Sequence, residues 1–464
     1  MRLYNTMSRS VEELKPLQEG AVKIYTCGLT VYSQPHIGNW LGYVYWDVLV
    51  RTLEAEGFKV ERTQNITDVG HLTSDDDNGE DKMEKGARSE GVTAWDIANK
   101  YSAIADHEAY ELLALIRPTS LTRATDMIEQ QIQFAEILDQ KGYLYEILGD
   151  GMYFDTSKLS DYGKLARLDI AGLEAGARVS VEGKRNITDF AVWKFSPANA
   201  KRDMEWDSPW GIGFPGWHLE CSVIARETLG DRIDIHTGGI DHIPVHHTNE
   251  IAQTESVTEK PFSQLWVHNN HVKVDGQKMA KSLGTIYTLE DIIEKGYSLD
   301  DFKVFAFGKH YRTEGNFTWD NLEAAANRRK NWQEAAALRW QEDKLPAKQT
   351  DYRGDMFEDK ILQSLSNDLA TNDALQVIDE ACDQIQKGNV CPACCDAIFA
   401  SIYSLLGIQL DVNDISDEQK MRIKSREDAR NAKDWATSDT IRDELQSQGI
   451  FLNDTANGTL WYRA

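Results

Sequence analysis

Two short segments lie 242 residues apart and carry groups suited to negatively charged oxygen. The first is His36-Ile37-Gly38-Asn39; the second is Lys278-Met279-Ala280-Lys281-Ser282. The His36 imidazole and the Asn39 amide are hydrogen-bond donors. The ammonium groups of Lys278 and Lys281 can neutralise charge that develops as a reaction proceeds. Gly38 has no side chain, so a flat ring can approach the backbone there. Either segment alone is four or five common residues, and only the ordered pair is informative.

Together the two segments resemble the HIGH and KMSKS signatures of class I aminoacyl-tRNA synthetases. That resemblance implies ATP-dependent activation of an amino acid and its transfer to tRNA. A carboxylate attacks the α-phosphate, and charge builds on a pentavalent centre and on departing pyrophosphate. The resemblance puts His36, Asn39, Lys278 and Lys281 in catalysis. It puts His36, Gly38, Asn39, Gly238, Gly239 and Lys281 around ATP, with Mg²⁺ as the phosphate counter-ion.

Four further residues are candidate metal ligands: Cys27, Cys221, His246 and Glu250. His246 and Glu250 are four apart in a helical stretch and share one face. The cysteines are 194 residues apart and lack the local spacing of a zinc finger. By spacing alone, two buried cysteines and a surface His–Glu pair is the leading reading. Cys27-Gly28-Leu29-Thr30-Val31-Tyr32, Pro215 to Ser222 and His246 to Gln253 together resemble blocks of cysteinyl-tRNA synthetases. Further matches run through Asn65 to Asp68, Lys184 to Ala191 and Arg430 to Trp461. The resemblance covers nearly the whole chain and makes the four residues ligands of one Zn²⁺. Zinc prefers a thiolate to a hydroxyl, which would separate cysteine from serine better than an apolar pocket could. The resemblance also implies that Cys27, Thr67, Trp217 and Asp241 bind the amino acid, Trp217 by closing over it; ordinary core packing is the other reading of Trp217.

These residues need a scaffold. Ala21 to Cys27 looks like a strand, Trp40 to Leu53 is periodic as a helix, and Phe58 to Ile66 alternates as a second strand. This order predicts a doubly wound α/β domain with ligands beyond the carboxyl ends of its strands. Cys27, Thr67 and Asp68 fall at such ends. Ile233 to His236 reads as a strand and Thr237-Gly238-Gly239 as a tight turn. A helix from Ala124 to Lys141 leads to Tyr143 to Phe154, read as a β-turn region. The fold expected is a class I synthetase Rossmann-like catalytic domain with an insertion, a helical bundle and a small anticodon-binding domain. Its parts are residues 1–117 and 205–255 (catalytic halves), 118–204 (insertion), 256–318 (link with the lysine loop), 319–410 (bundle) and 411–464 (anticodon unit).

Hydrophobic content of 41% and 13 Trp indicate a filled core. No 18-residue apolar run or signal-type N-terminus is present, which predicts no membrane partner. Six Cys without regular spacing fit a reducing, cytoplasmic setting. The C-x-x-C at Cys391 and Cys394 reads as helix packing. A monomer is expected. The net charge of −25 requires basic groups to cluster where RNA docks, while tracts such as Ser74-Asp75-Asp76-Asp77 repel it elsewhere.

In the last 50 residues, Trp435, Asp439 and Arg442 share a helical face that can stack a base and read its edge. A core Trp beside a surface ion pair is the alternative from the residues alone. The resemblance makes Arg430, Trp435, Asp439, Arg442 and Asp454 contacts to tRNA(Cys). Departures from the family pattern are Asn39 for a second His, Ala280 for Ser, Ser33 for Asp, and His242 where Leu is usual. Rival readings are a ligase joining cysteine to a small amine and an inactive tRNA-binding homologue.

Overall fold

The computed structural model describes residues 1–70, 81–168, 183–197, 202–279, 284–341, 354–390, 392–410, 413–455 and 458–463. Its centre is a five-stranded sheet built from β1 (Ala21–Thr26), β2 (Lys59–Ile66), β3 (Ser120–Arg123), β4 (Ile233–Gly239) and β5 (Ser263–Asn269). The order is β5-β4-β1-β2-β3, and every pair is parallel. Apolar β1 is buried almost throughout, as a strand covered on both faces must be. The chain runs outward from β1 through β2 to β3, then returns to the other side for β4 and β5. The order therefore reverses between β1 and β4, where a doubly wound sheet opens a crevice. Cys27 follows β1 at this point, and its N–H donates to the Thr237 carbonyl of β4 at 3.2 Å.

Helix α1 (Ile37–Ala55) starts beyond the end of β1 and connects it to β2. Helices α2 (Trp217–Leu229) and α3 (His246–Thr258) flank β4. Thr237 to Gly239 form the end of β4, not the turn expected from their glycines. Gly238 pairs with His268 and Gly239 with Asn269 of β5, so the parallel neighbour overrides local propensity. Gly238 must lack a Cβ, which would lie 2.6 Å from His247 Cε1 and 2.7 Å from His242 Nδ1.

An antiparallel sheet of Leu144–Ile147, Gly151–Phe154, Phe190–Phe195 and Gly213–Pro215 packs beside α2 and α3. Leu144 to Phe154 is thus a hairpin rather than only a turn region. The expected helix at Ala124 begins as a 3₁₀ turn to Met127, and the α-helix spans Ile128–Gln140. Helices Trp319–Ala337, Gly354–Ser366, Thr371–Gln386 and Pro392–Leu406 share a core with α1. Cys394, in the last of these helices, packs partly buried against the same core, as the helix-packing reading expected. Cys391 lies outside the described residues, as does the acidic tract Ser74 to Asp77.

The C-terminal unit has helices Asp417–Asn431 and Trp435–Ser447 and a hairpin of Ile450–Thr455 with Gly458–Arg463. Gln341 anchors it to the bundle, donating to the Trp461 carbonyl and accepting from its N–H. Among the described residues no helix is long and apolar enough to cross a membrane.

Candidate active site and metal centre

His36 is the N-cap of α1. Its Nδ1 accepts from the Asn39 N–H at 3.2 Å, and the Asn39 Oδ1 accepts from the His36 N–H at 3.0 Å. This reciprocal box satisfies two otherwise orphan donors of the first turn. Asn39, at the position where the resemblance expects a second His, thus supplies both a backbone donor and a side-chain acceptor to this turn. The Ile37 N–H donates to the Tyr287 carbonyl, which follows the lysine loop. Met279 packs against Gly38. The two signatures therefore meet, with Lys278 exposed beside them. Ala280, Lys281 and Ser282 lie outside the described residues.

The four expected ligands converge. Cys27 follows β1, Cys221 lies on α2, and His246 and Glu250 lie one turn apart on α3. Their ligand atoms all lie within 4.8 Å of one another, and all four residues are buried. Glu250 Oε1 is 3.0 Å from His246 Nε2, and Oε2 is 2.9 Å from His236 Nε2. Two thiols, an imidazole and a carboxylate suit the tetrahedral preference of zinc. Cys27, His236, His247 and Glu250 form an overlapping group of the same compactness.

Electrostatics follow the clustering. Cys27 is pushed up by burial and by its hydrogen bond with Cys221. Burial would also raise Cys221, but the Cys27 hydrogen bond and nearby His246 bring it down to about 6. Burial opposes charge on His246, yet Glu250 and Cys221 raise it to about 10. Glu250 is held well below the usual carboxylate range, because His236 and His246 outweigh burial. Cys221 and Glu250 together carry more negative charge than His246 balances, and a bound cation relieves that surplus.

Thr67 is buried, donating to Glu220 Oε2 at 2.9 Å and accepting from Asn65 Nδ2 at 3.0 Å. Trp217 opens α2 and stacks on the His246 ring, with centroids 4.3 Å apart. Asp241 is exposed on the 3₁₀ turn after β4. Its Oδ1 stands against Gly239, where a Cβ would collide with it.

Sequence reasoning missed the histidines around this set. His247 Nε2 lies 3.2 Å from Cys27 Sγ, and its Nδ1 is 2.8 Å from His268 Nε2. His268 Nδ1 reaches Thr6 Oγ1 at 2.7 Å, and His218 Nδ1 reaches His246 Nδ1 at 2.9 Å. The 11 His were legible as a count, but nothing local marked these as one cluster.

In the C-terminal unit Trp435 is 55% exposed, which excludes the core reading. The Arg430 guanidinium lies 5.7 Å from its ring centroid. Asp439 pairs with Arg442 at 3.3 Å on the same helix. Asp454 is engaged differently. Buried Arg426 grips both its oxygens, at 2.8 and 2.9 Å, and Arg430 adds a third contact at 3.1 Å.

Residues 13–327 match the family model for tRNA synthetases class I (C) catalytic domain. The fold resembles Mycobacterium tuberculosis methionyl-tRNA synthetase in complex with methionyl-adenylate, at TM-score 0.60 and 13% identity, covering 83% of this chain and 92% of that one. Fold, signature pair and family model together define a class I aminoacyl-tRNA synthetase. A cysteine–tRNA ligase of Burkholderia lata is 42% identical over 468 residues, covering 99% of this chain and 96% of that protein. Another, from Treponema denticola, is 37% identical and covers 99% of each. The chain belongs to the cysteine–tRNA ligase family.

Proposed function

We propose that this chain activates cysteine with ATP as cysteinyl adenylate and esterifies the terminal ribose of tRNA(Cys). The observation that carries this reading is the buried Cys27, Cys221, His246 and Glu250 set at the crevice between β1 and β4. Zinc held there would supply a Lewis-acidic position that prefers a thiolate to a hydroxyl. Trp217 covers the amino acid from the His246 side, while Thr67 and Asp241 line its polar end. His36 donates to phosphate oxygens from the start of α1. Gly38, Gly238 and Gly239 stand in the ATP-facing segments, where their missing side chains admit Met279, His247 and Asp241 close to the backbone, and Mg²⁺ accompanies the ATP phosphates. Lys278 and Lys281 neutralise the leaving pyrophosphate, stabilisation that belongs mainly to the transition state. Asn39 acts through the turn it shares with His36.

Trp435, flanked by Arg430, offers an exposed ring to an unpaired base, with Asp439 and Arg442 on the same face. Asp454 acts on RNA indirectly, by holding Arg426 and Arg430. The enzyme works as a cytoplasmic monomer in this reading. The test is ATP–pyrophosphate exchange with cysteine against serine, followed by charging of bulk tRNA. Exchange specific for cysteine together with charging is expected. Exchange without charging would move the acceptor from tRNA to a small amine, and no exchange would sink the enzymatic reading.

A further inference from the structure

We propose that Glu108 is a positioning residue for the His36 turn, clamping it from both sides so that the imidazole faces ATP. This rests on the reading of His36 as an ATP-site residue. Glu108 is buried and stands in a single π turn, Glu108–Leu112, directly after the helix Ala94–His107. Such turns interrupt ordinary helices at a cost and recur at functional sites. Its Oε1 accepts from Gln34 Nε2 at 3.1 Å, two residues before His36. Its Oε2 accepts from Trp40 Nε1 at 2.7 Å, four residues after His36. One carboxylate therefore ties the chain entering the signature to the helix leaving it.

Within that clamp, His36 Nδ1 accepts the Asn39 backbone N–H. In the neutral ring the proton then sits on Nε2. The direction of that donor depends on where the turn lies, and Glu108 sets both ends of the turn. Plain packing would account for the buried Trp40 contact. It gives no reason for the second oxygen to hold Gln34, a half-buried loop residue. Burial raises the Glu108 carboxyl, with the Gln34 and Trp40 donors opposing that shift. Removing the carboxylate would strand the buried Trp40 N–H and release Gln34.

The test compares Glu108→Ala, Glu108→Gln, Gln34→Ala and His36→Ala in the full chain by ATP–pyrophosphate exchange. Folding is checked by circular dichroism and thermal unfolding. Gln34→Ala should lower kcat/KM for ATP by about tenfold, the scale of one lost charge-assisted hydrogen bond, and Glu108→Ala, which loses two, by more than that, with the KM for cysteine unchanged in both. Glu108→Gln should recover most of the loss, because its amide keeps an acceptor for Trp40 and Gln34 can turn its own carbonyl to the new N–H. If His36→Ala is impaired while folded Glu108→Ala and Gln34→Ala keep normal ATP kinetics, the clamp is refuted alone. Normal exchange by His36→Ala would refute the reading of His36 and the clamp with it. Equal losses toward ATP and cysteine would mean general damage and also overturn the proposal. If Glu108→Ala does not fold, Gln34→Ala decides.

Discussion

Met279 occupies the space that a Cβ on Gly38 would need, and the His36 ring lies 3.1 Å from the same point. The glycine of the first signature thus seats the methionine of the second. Gly38→Ala should lower pyrophosphate exchange severalfold, because the methyl group meets both Met279 and His36. Met279 can yield, so Gly38→Ala with Met279→Ala should be less impaired than the sum of the single changes. Exchange kinetics on the four proteins of the cycle measure this. Additive effects would show that the two residues do not share that space.

One zinc per chain is expected, with Cys221→Ser losing it. A hydroxyl replaces a thiolate among four converging donors, so the set keeps its shape and loses its softest ligands by one. Elemental analysis of both proteins checks this. Full zinc content in the variant would remove Cys221 from the ligand set.

Lys281→Ala should reduce adenylate formation at least about tenfold while leaving cysteine affinity nearly unchanged, since the charge it meets appears mainly in the transition state. Steady-state exchange separates turnover from binding. Weakened cysteine binding with normal turnover would make the loop a structural feature.

Trp435→Ala should impair tRNA charging and spare exchange. The ring is exposed and distant in sequence from the crevice, so losing one stacking contact should cost roughly 1–3 kcal/mol in charging only. Arg442→Ala should behave similarly, and the pair should be non-additive if both hold one base. Normal charging by a folded Trp435→Ala would exclude base reading through this side chain.

Asp454 is a pH-dependent tie. The hydrogen bonds from Arg426 hold its carboxyl down at about 2, against 3.8 for a free aspartate. Its ionised form therefore stabilises the fold above about pH 4, and that contribution fades as pH falls from 3.8 toward 2. Asp454→Asn should lower the urea midpoint of the C-terminal unit at pH 7, with the difference from the parent shrinking below pH 4. A difference that stays constant down to pH 3 would mean the pair does not carry it.

The sequence by itself determined whatever rests on residue type and short periodicity. The signatures, the helix after His36, the strands on either side of it and the shared face of His246 and Glu250 were all legible, because each is set within one or two turns of backbone. So was the exposed side of Trp435–Ser447, which carries Trp435, while Ser438, Ile441 and Leu445 turn inward. Tertiary structure decided the rest. Cys27 and Cys221 meet only because the sheet order reverses between β1 and β4. Thr237 to Gly239 extend as strand only because β5 lies beside them. His218, His236, His247 and His268 gather through contacts between separate elements. Glu108 reaches Gln34 and Trp40 across more than 60 residues of chain. Local patterns fix which way a side chain faces on its own element. Which other faces it meets depends on the packing of parallel strands and their crossover helices, and that packing is a long-range property.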